Sequence, residues 1–342
     1  MQYSFSVLQD AQQKTYLDST QLYQLYLDKL SHFNQAFRYR FGFQKKGNKE
    51  YVFKENLNTL QRKYLNNTPE TISLMDSFNA KKVEQKKSIK SIKRELEIRE
   101  KYNKFEKIGH TPSFIVEILA KINELGLDHK MVIIGTNALY AYEMLFGVTI
   151  EQKHLATVDI DILNRRNVRL PIAVFNEGSP SSVVEMLKSI DETFEENPKA
   201  PYQFINKNHV IVELINPASK DFSFEQSRKD LFFEMVQKID IKNIEWLISS
   251  RLIQSIVVAQ NGKMAKMTTI HPVDFMVYKF WLSKQRDRNP IKAQRDFTQS
   301  MLVTQLLLQH SHFDVSKEVD SLQHIQKEAV DAYKQEILVL VT

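Results

Sequence analysis

The chain has 342 residues, enough to bury a sizeable core and to divide into two or three domains. It contains no cysteine, which excludes disulfides, thiolate metal sites and cysteine nucleophiles, leaves oxygen and imidazole as metal ligands, and fits a cytoplasmic protein. Its 42% hydrophobic and 26% charged residues are ordinary for a soluble globular protein; no apolar run approaches the roughly 20 residues of a membrane span, and the start shows no signal peptide.

The formal net charge is +6, and one segment carries all of it. Between Asn79 and Ile108 eleven Lys and Arg stand against five Glu, an excess of six. The interleaved Glu84, Glu95, Glu97 and Glu100 favour a solvated helix face. The alternative is an electrostatic handle for a phosphate-rich partner such as RNA or DNA. In chain order, Thr20 to Phe37 carries Leu22, Leu25, Tyr26, Leu30 and Phe33 at helical spacing. From Phe37 to Phe43 aromatics alternate with polar or small residues, and Lys45 to Phe53 follows through Gly47-Asn48, which predicts a hairpin turning there. By ordinary preference its aromatics face a small core; the alternative is a base-stacking surface. The Lys-rich segment predicts one long helix ending near Gly109, so residues 1–110 read as a mostly helical, basic region with a small hairpin.

A boundary is expected at Gly109-His110-Thr111-Pro112, with Thr111 as N-cap and Pro112 at the first helical position. That helix should end at Gly126. Then the pattern turns to alternating strands and helices: strand Met131 to Ile134, turn Gly135-Thr136-Asn137, helix Ala138 to Phe146, and strand Thr157 to Leu163. A helix around Ser182 to Ile190, opened by Pro180-Ser181, precedes strands Tyr202 to Ile205 and His209 to Ile215, and Pro217 closes this block. The expected core is 111–218. Beyond it, 219–342 reads as mainly helical, with a hairpin at Asn261-Gly262 near 254–270.

Asp159 and Asp161 stand two apart on a predicted strand, so their side chains leave the same face, while Val158, Ile160 and Ile162 point to a core. Two adjacent carboxylates repel, and a divalent cation removes that cost. Mg²⁺ suits a few carboxylate oxygens plus phosphate oxygens. Upstream, Gly135 and Thr136 follow an apolar strand and open a helix, where backbone amides and the Thr136 hydroxyl can face a triphosphate. Downstream, Glu213 sits mid-strand among apolar neighbours, a place where a charge needs a partner or a metal. Among the histidines no metal-ligand spacing occurs, and neither a P-loop nor a nucleophile-elbow motif is present.

Together, Gly135-Thr136, Asp159-x-Asp161 and a later strand carboxylate resemble the nucleotidyltransferase fold of the DNA polymerase β superfamily. Val132 to Glu143, Thr157 to Leu163, Val212 to Pro217 and His271 to Lys279 further resemble a group of stand-alone bacterial nucleotidyltransferases, with Glu213 where Asp is more usual. The likeness covers roughly 110–305. It implies an α/β (α+β) mixed sheet with flanking helices, carrying Mg²⁺ or Mn²⁺ and an NTP, between helical N-terminal and C-terminal regions. It also implies transfer of an NMP to a hydroxyl, in enzymes that occur in toxin–antitoxin or phage-defence settings.

In this reading Asp159, Asp161 and Glu213 are the catalytic and metal-binding residues, and Gly135, Thr136, Lys279 and Lys292 bind the nucleotide. Lys279 and Lys292 would offset phosphate charge; the alternative is ion pairing, for instance of Lys279 with Asp274. Arg286, Arg288 and Arg295 are weaker candidates of the same kind. The favoured acceptor is an RNA end, reached through the basic N-terminal segment; no membrane is expected, and a protein partner is not legible. The rival reading is a nucleic-acid- or protein-binding module that keeps the fold without catalysis.

Overall fold

The structure is a computed structural model and describes residues 3–57, 59–155, 157, 159–165, 182–215 and 243–339. Val158, Pro180, Ser181 and Pro217, each used in the sequence expectations, lie outside the described residues. No helix among the described residues is long and apolar enough to cross a membrane.

A short strand β1 (Ser6–Val7) leads into helix α1 (Asp10–Ala36), which starts well before Thr20. Its first turns are polar and bury only Ser19, so they carry no apolar period; a capping box starts them instead, with the Gln9 amide donating to Gln12 Oε1 at 2.9 Å. The predicted hairpin is present as β2 (Tyr39–Lys46) and β3 (Lys49–Asn56), turning at Gly47 with φ +60°. A third strand, β4 (Arg62–Asn66), pairs with β3; it is short and polar and gave no strand signal. Helix α2 (Pro69–Phe105) takes in the Lys-rich segment. It begins earlier than Asn79 because Thr68 caps it, accepting from the Thr71 amide at 3.3 Å, and Pro69 fits its first turn. It buries only Met75, Leu96 and Asn103, so the lysines lie on a solvated face.

Helix α3 (Ser113–Glu124) starts one residue later than expected. Thr111 does not cap it: its backbone bridges to Ala259 and donates to the Val258 carbonyl at 3.2 Å, leaving Pro112 as the cap. Next come β5 (Met131–Ile134), a 3-10 turn at Gly135–Asn137, α4 (Ala138–Phe146), β6 (Val148–Thr149), α5 (Gln152–Leu155) and β7 (Asp159–Asn164). Helix α6 (Val183–Lys188) is capped by Ser182 and precedes β8 (Glu195–Asn197), β9 (Ala200–Ile205) and β10 (Ile211–Ile215). Then follow α7 (Ile244–Ser249), the hairpin of β11 (Leu252–Val258) and β12 (Met264–Ile270), and the helices α8 (Pro272–Ser283), α9 (Pro290–His310), α10 (Val315–Asp320) and α11 (Lys327–Tyr333).

The central sheet is mixed and seven-stranded, in the order β11-β12-β5-β7-β10-β9-β8. It therefore runs past the border expected at 218, since β12 pairs parallel to β5 and brings its hairpin into the sheet. Local reading of Asn261-Gly262 finds the turn but not the strand on which the hairpin will lie. Gly262 has φ +88°, and a Cβ there would stand 1.9 Å from the Glu100 carbonyl, so the hairpin tip lies directly against α2. Helices α3 and α4 pack on the β11–β12 end of the sheet, and α8 and α9 pack on each other. Strand β5 is wholly buried, and β7 alternates as predicted: Ile160 and Ile162 are buried while Asp159 and Asp161 face the other way.

Candidate active site

Strand β7 is flanked by β5 on one side and β10 on the other, and this register places the site. Asp161 pairs with Ile134, the last residue of β5, across an antiparallel ladder. On its other side it pairs with Glu213 across a parallel one. The three acids of the sequence reading therefore come from two adjacent strands and line one cavity, of about 620 Å³. Gly135, Thr136, Lys279, Lys292 and Arg295 line the same cavity. All seven predicted site residues are thus gathered around one space.

The sheet side is anionic and under tension. The Asp161 carboxyl is pushed up to about 6, chiefly by burial and then by Glu213 and Asp159, against the opposing pull of Lys279 and Arg295. Asp159 Oδ1 is buried and accepts no hydrogen bond from the described residues. Glu213 is better held: Gln203 Nε2 on β9 donates to its Oε1 at 2.7 Å, and Asn197 Nδ2 donates to Gln203 Oε1 at 2.9 Å. Around the turn, Asn137 Nδ2 donates to the Asp159 carbonyl at 2.7 Å, which ties the 3-10 turn to the acidic strand. Thr136 is buried, with its hydroxyl accepting from Gln299 Nε2 at 3.0 Å. Sequence reasoning missed Gln299, a polar residue inside an otherwise regular helix; its only signal is its burial on α9.

Gly135 is required here by two observations. Its φ is +70°, and a Cβ on it would stand 2.3 Å from Asp161 Oδ2. The chain thus brings bare backbone against the carboxylate at the mouth of a helix. Gly135→Ala should therefore lower stability by about 1–2 kcal/mol for the left-handed backbone alone. It should also displace the Asp161 carboxylate. Denaturant unfolding checks the first effect and a crystal structure of the variant the second; an unmoved carboxylate would mean the close approach is not constraining.

The helical side is cationic, but its charges are arranged differently from the sequence expectation. Lys279 is buried and pairs with Asp296 Oδ1 at 2.7 Å, not with Asp274. Asp274 instead faces His324 Nε2 at 2.7 Å and Arg251 Nη2 at 3.5 Å. The alternative pairing along one helix gives way to a pair formed across α8 and α9. Asp296 is fully buried and also takes Arg288, whose Nε and Nη2 donate to Oδ2 at 2.8 and 2.6 Å. Burial pulls the Lys279 ammonium below its ordinary value, with Asp296 opposing. Lys292 is exposed, whereas the buried Arg295 Nε has no partner among the described residues. Arg295, ranked below the lysines by sequence, therefore holds a buried donor beside the acids that is unused among the described residues. His271 has a structural role: its Nδ1 accepts from the Val273 amide at 3.3 Å and caps α8.

A divalent metal fits this donor set in one respect and is only partly prepared in another. The unpartnered Asp159 oxygen, the raised Asp161 carboxyl and the glycine cradle all suit a cation held by oxygens. Among the described residues, however, no three His, Asp or Glu side chains form a ready cage. Mg²⁺ bound through one or two carboxylates and substrate phosphates needs no such cage.

Residues 113–324 match the model of a protein family described as Nucleotidyltransferase, a span that starts with α3 and contains every residue of the cavity. Neither a curated protein nor a solved structure matches the chain.

Proposed function

Since the chain belongs to the nucleotidyltransferase family, we propose that this cavity moves a nucleoside monophosphate from an NTP onto an acceptor hydroxyl, with Mg²⁺ or Mn²⁺ held by Asp159 and Asp161. The observation that carries this reading is the Asp159 oxygen, unpartnered among the described residues, beside the raised Asp161 carboxyl and facing Lys279 and Arg295 across the cavity. Bound there, the metal would neutralise charge on the transferring and leaving phosphoryl oxygens. We read the fold as one of the DNA polymerase β superfamily.

The step forms a bond from the acceptor oxygen to the α-phosphorus and breaks the bond to the β-phosphate oxygen, which leaves with its electron pair as pyrophosphate. The hydroxyl proton passes to Glu213, whose Oε1 is fixed by Gln203 while its other oxygen is left for the acceptor. Gly135 and Thr136 bring backbone amides to the triphosphate at the start of α4. Arg295 and Lys292 meet charge on the outgoing phosphates, and the Lys279–Asp296–Arg288 cluster holds that wall rigid.

Incubation with labelled NTPs, Mg²⁺ and total RNA or cell extract tests the reading. Wild-type protein should transfer label, and Asp159→Ala/Asp161→Ala should not. Equal labelling by both would return the protein to the rival reading, a binding module that keeps the fold.

A further inference from the structure

The β2–β3–β4 sheet has two unlike faces. One packs on α2: Phe41 meets the Phe78 ring at 5.1 Å, beside Phe37 from the end of α1, and Val52, between its cross-strand partners Phe43 and Leu65, is fully buried. The opposite face carries the cross-strand rows Arg40–Glu55–Arg62, Gly42–Phe53–Tyr64, Gln44–Tyr51–Asn66 and Lys46–Lys49. Three aromatics and four cations thus share it with a single acid. That acid, Glu55, is buried and held by both Arg40 and Arg62, so its charge is spent within the sheet and a net positive surface remains.

The aromatics on this face are layered with cations. The end of the Phe53 ring lies against Gly42, where a Cβ would stand 2.6 Å from its Cζ, and Arg62 covers the ring at 4.5 Å. Lys46 Nζ sits 3.6 Å over the Tyr64 ring, which is 37% exposed. An exposed ammonium on a flexible stem exchanges a ring face for a phosphate at little cost, and the freed ring then accepts a base. A guanidinium plane stacks on a base directly. Just beyond Phe78 on the same helix, α2 adds Lys81, Lys82, Lys86, Lys87, Lys90 and Lys93 to the positive field.

We propose that this outer sheet face binds single-stranded RNA, stacking bases on Tyr64, Tyr51 and the Arg62 guanidinium that covers Phe53, while Lys46 and Lys49 meet the backbone phosphates. A flat aromatic surface suits bases that are not already stacked on a complement, the state of RNA loops and ends. A duplex offers it only groove edges and phosphates, because its bases are already stacked and paired. By strand parity Tyr51, Phe53 and Tyr64 share the outer face, while Phe41 meets α2 and Phe43, of the same parity as Phe41, remains 48% exposed.

Fluorescence anisotropy with a labelled single-stranded RNA of about a dozen nucleotides, without NTP, tests the claim separately from the transfer reaction. Tyr64→Ala should weaken binding by about five- to a hundredfold with the salt slope unchanged. Lys46→Gln/Lys49→Gln should flatten the slope of log Kd against log salt by about 0.7 for each phosphate no longer neutralised. Both changes fall on exposed side chains, and matching thermal melts establish that the variants fold. The proposal is overturned if wild type does not bind, if duplex RNA or DNA of the same sequence binds as tightly, or if only Lys86→Gln/Lys87→Gln on α2 weakens binding.

Discussion

Asp161→Asn should reduce nucleotidyl transfer by about three orders of magnitude while making the metal-free protein more stable. The two effects have one cause. Asp161 lies between Ile134 and Glu213, and its carboxyl is pushed up to about 6 by burial, by Glu213 and by Asp159. Its unfolded value is near 3.8, so folding takes up a proton between about pH 4 and pH 6. Stability from this group is then greatest below the unfolded value and falls as pH rises through the folded one. At neutral pH the charged form costs about 3 kcal/mol. Asparagine keeps the shape and drops the charge, so the loss between about pH 4 and 6 should vanish and the melting temperature at pH 7.5 should rise by a few degrees. Transfer should fall because the oxygen pair proposed to hold the metal is broken, a loss of about 4 kcal/mol in transition-state stabilisation. Calorimetry in chelator and single-turnover kinetics in Mg²⁺ read the two halves. A variant that is both less stable and fully active would mean Asp161 is a structural acid.

What made this group legible in the sequence was its period. Asp159 and Asp161 alternate with Ile160 and Ile162, so the side of the strand they leave from follows from local geometry alone. Gly135 was legible for a related reason, since a glycine between an apolar strand and a helix marks a turn where backbone must come close. The hairpins at Gly47 and Gly262 were legible as turns. Strands β1, β4, β6 and β8 received no local signal; they are short and are ordered by the neighbours they pair with. Likewise the place of β11 and β12 in the central sheet is decided by one parallel pairing to β5, far away in sequence. The partner of Lys279 was hidden for the same reason. Asp274 lies close to it along the chain, but Asp296 lies close to it in space, and only the packing of α8 on α9 decides between them.

That packing gives the largest stability effect expected from one substitution. Asp296 is fully buried and is the counter-charge for both Lys279 and Arg288. Removing it in Asp296→Ala strands two cations at the cavity wall, and breaking a buried ion pair from one side costs about 3–5 kcal/mol. The loss should depend on pH in a way that a simple cavity would not. Burial already holds Lys279 below its ordinary value, with Asp296 opposing, so without Asp296 it falls further. The unfolded chain then binds more protons over the interval between the two values, and stability rises with pH across it. The deficit of the variant should therefore shrink as pH is raised through the alkaline range in urea unfolding, where a mere packing defect keeps a constant deficit. Asp296→Asn, which keeps the volume, should show the same pH trend with a smaller total loss. A pH-independent loss of under about 1 kcal/mol in both variants would show that water, not Asp296, compensates the cations. In that case Lys279 would be open to a triphosphate without first leaving a partner. If the deficit is large and pH-dependent, Lys279 and Arg288 are committed to Asp296 in the resting protein, and Arg295 with Lys292 is left to take the charge of the outgoing phosphates.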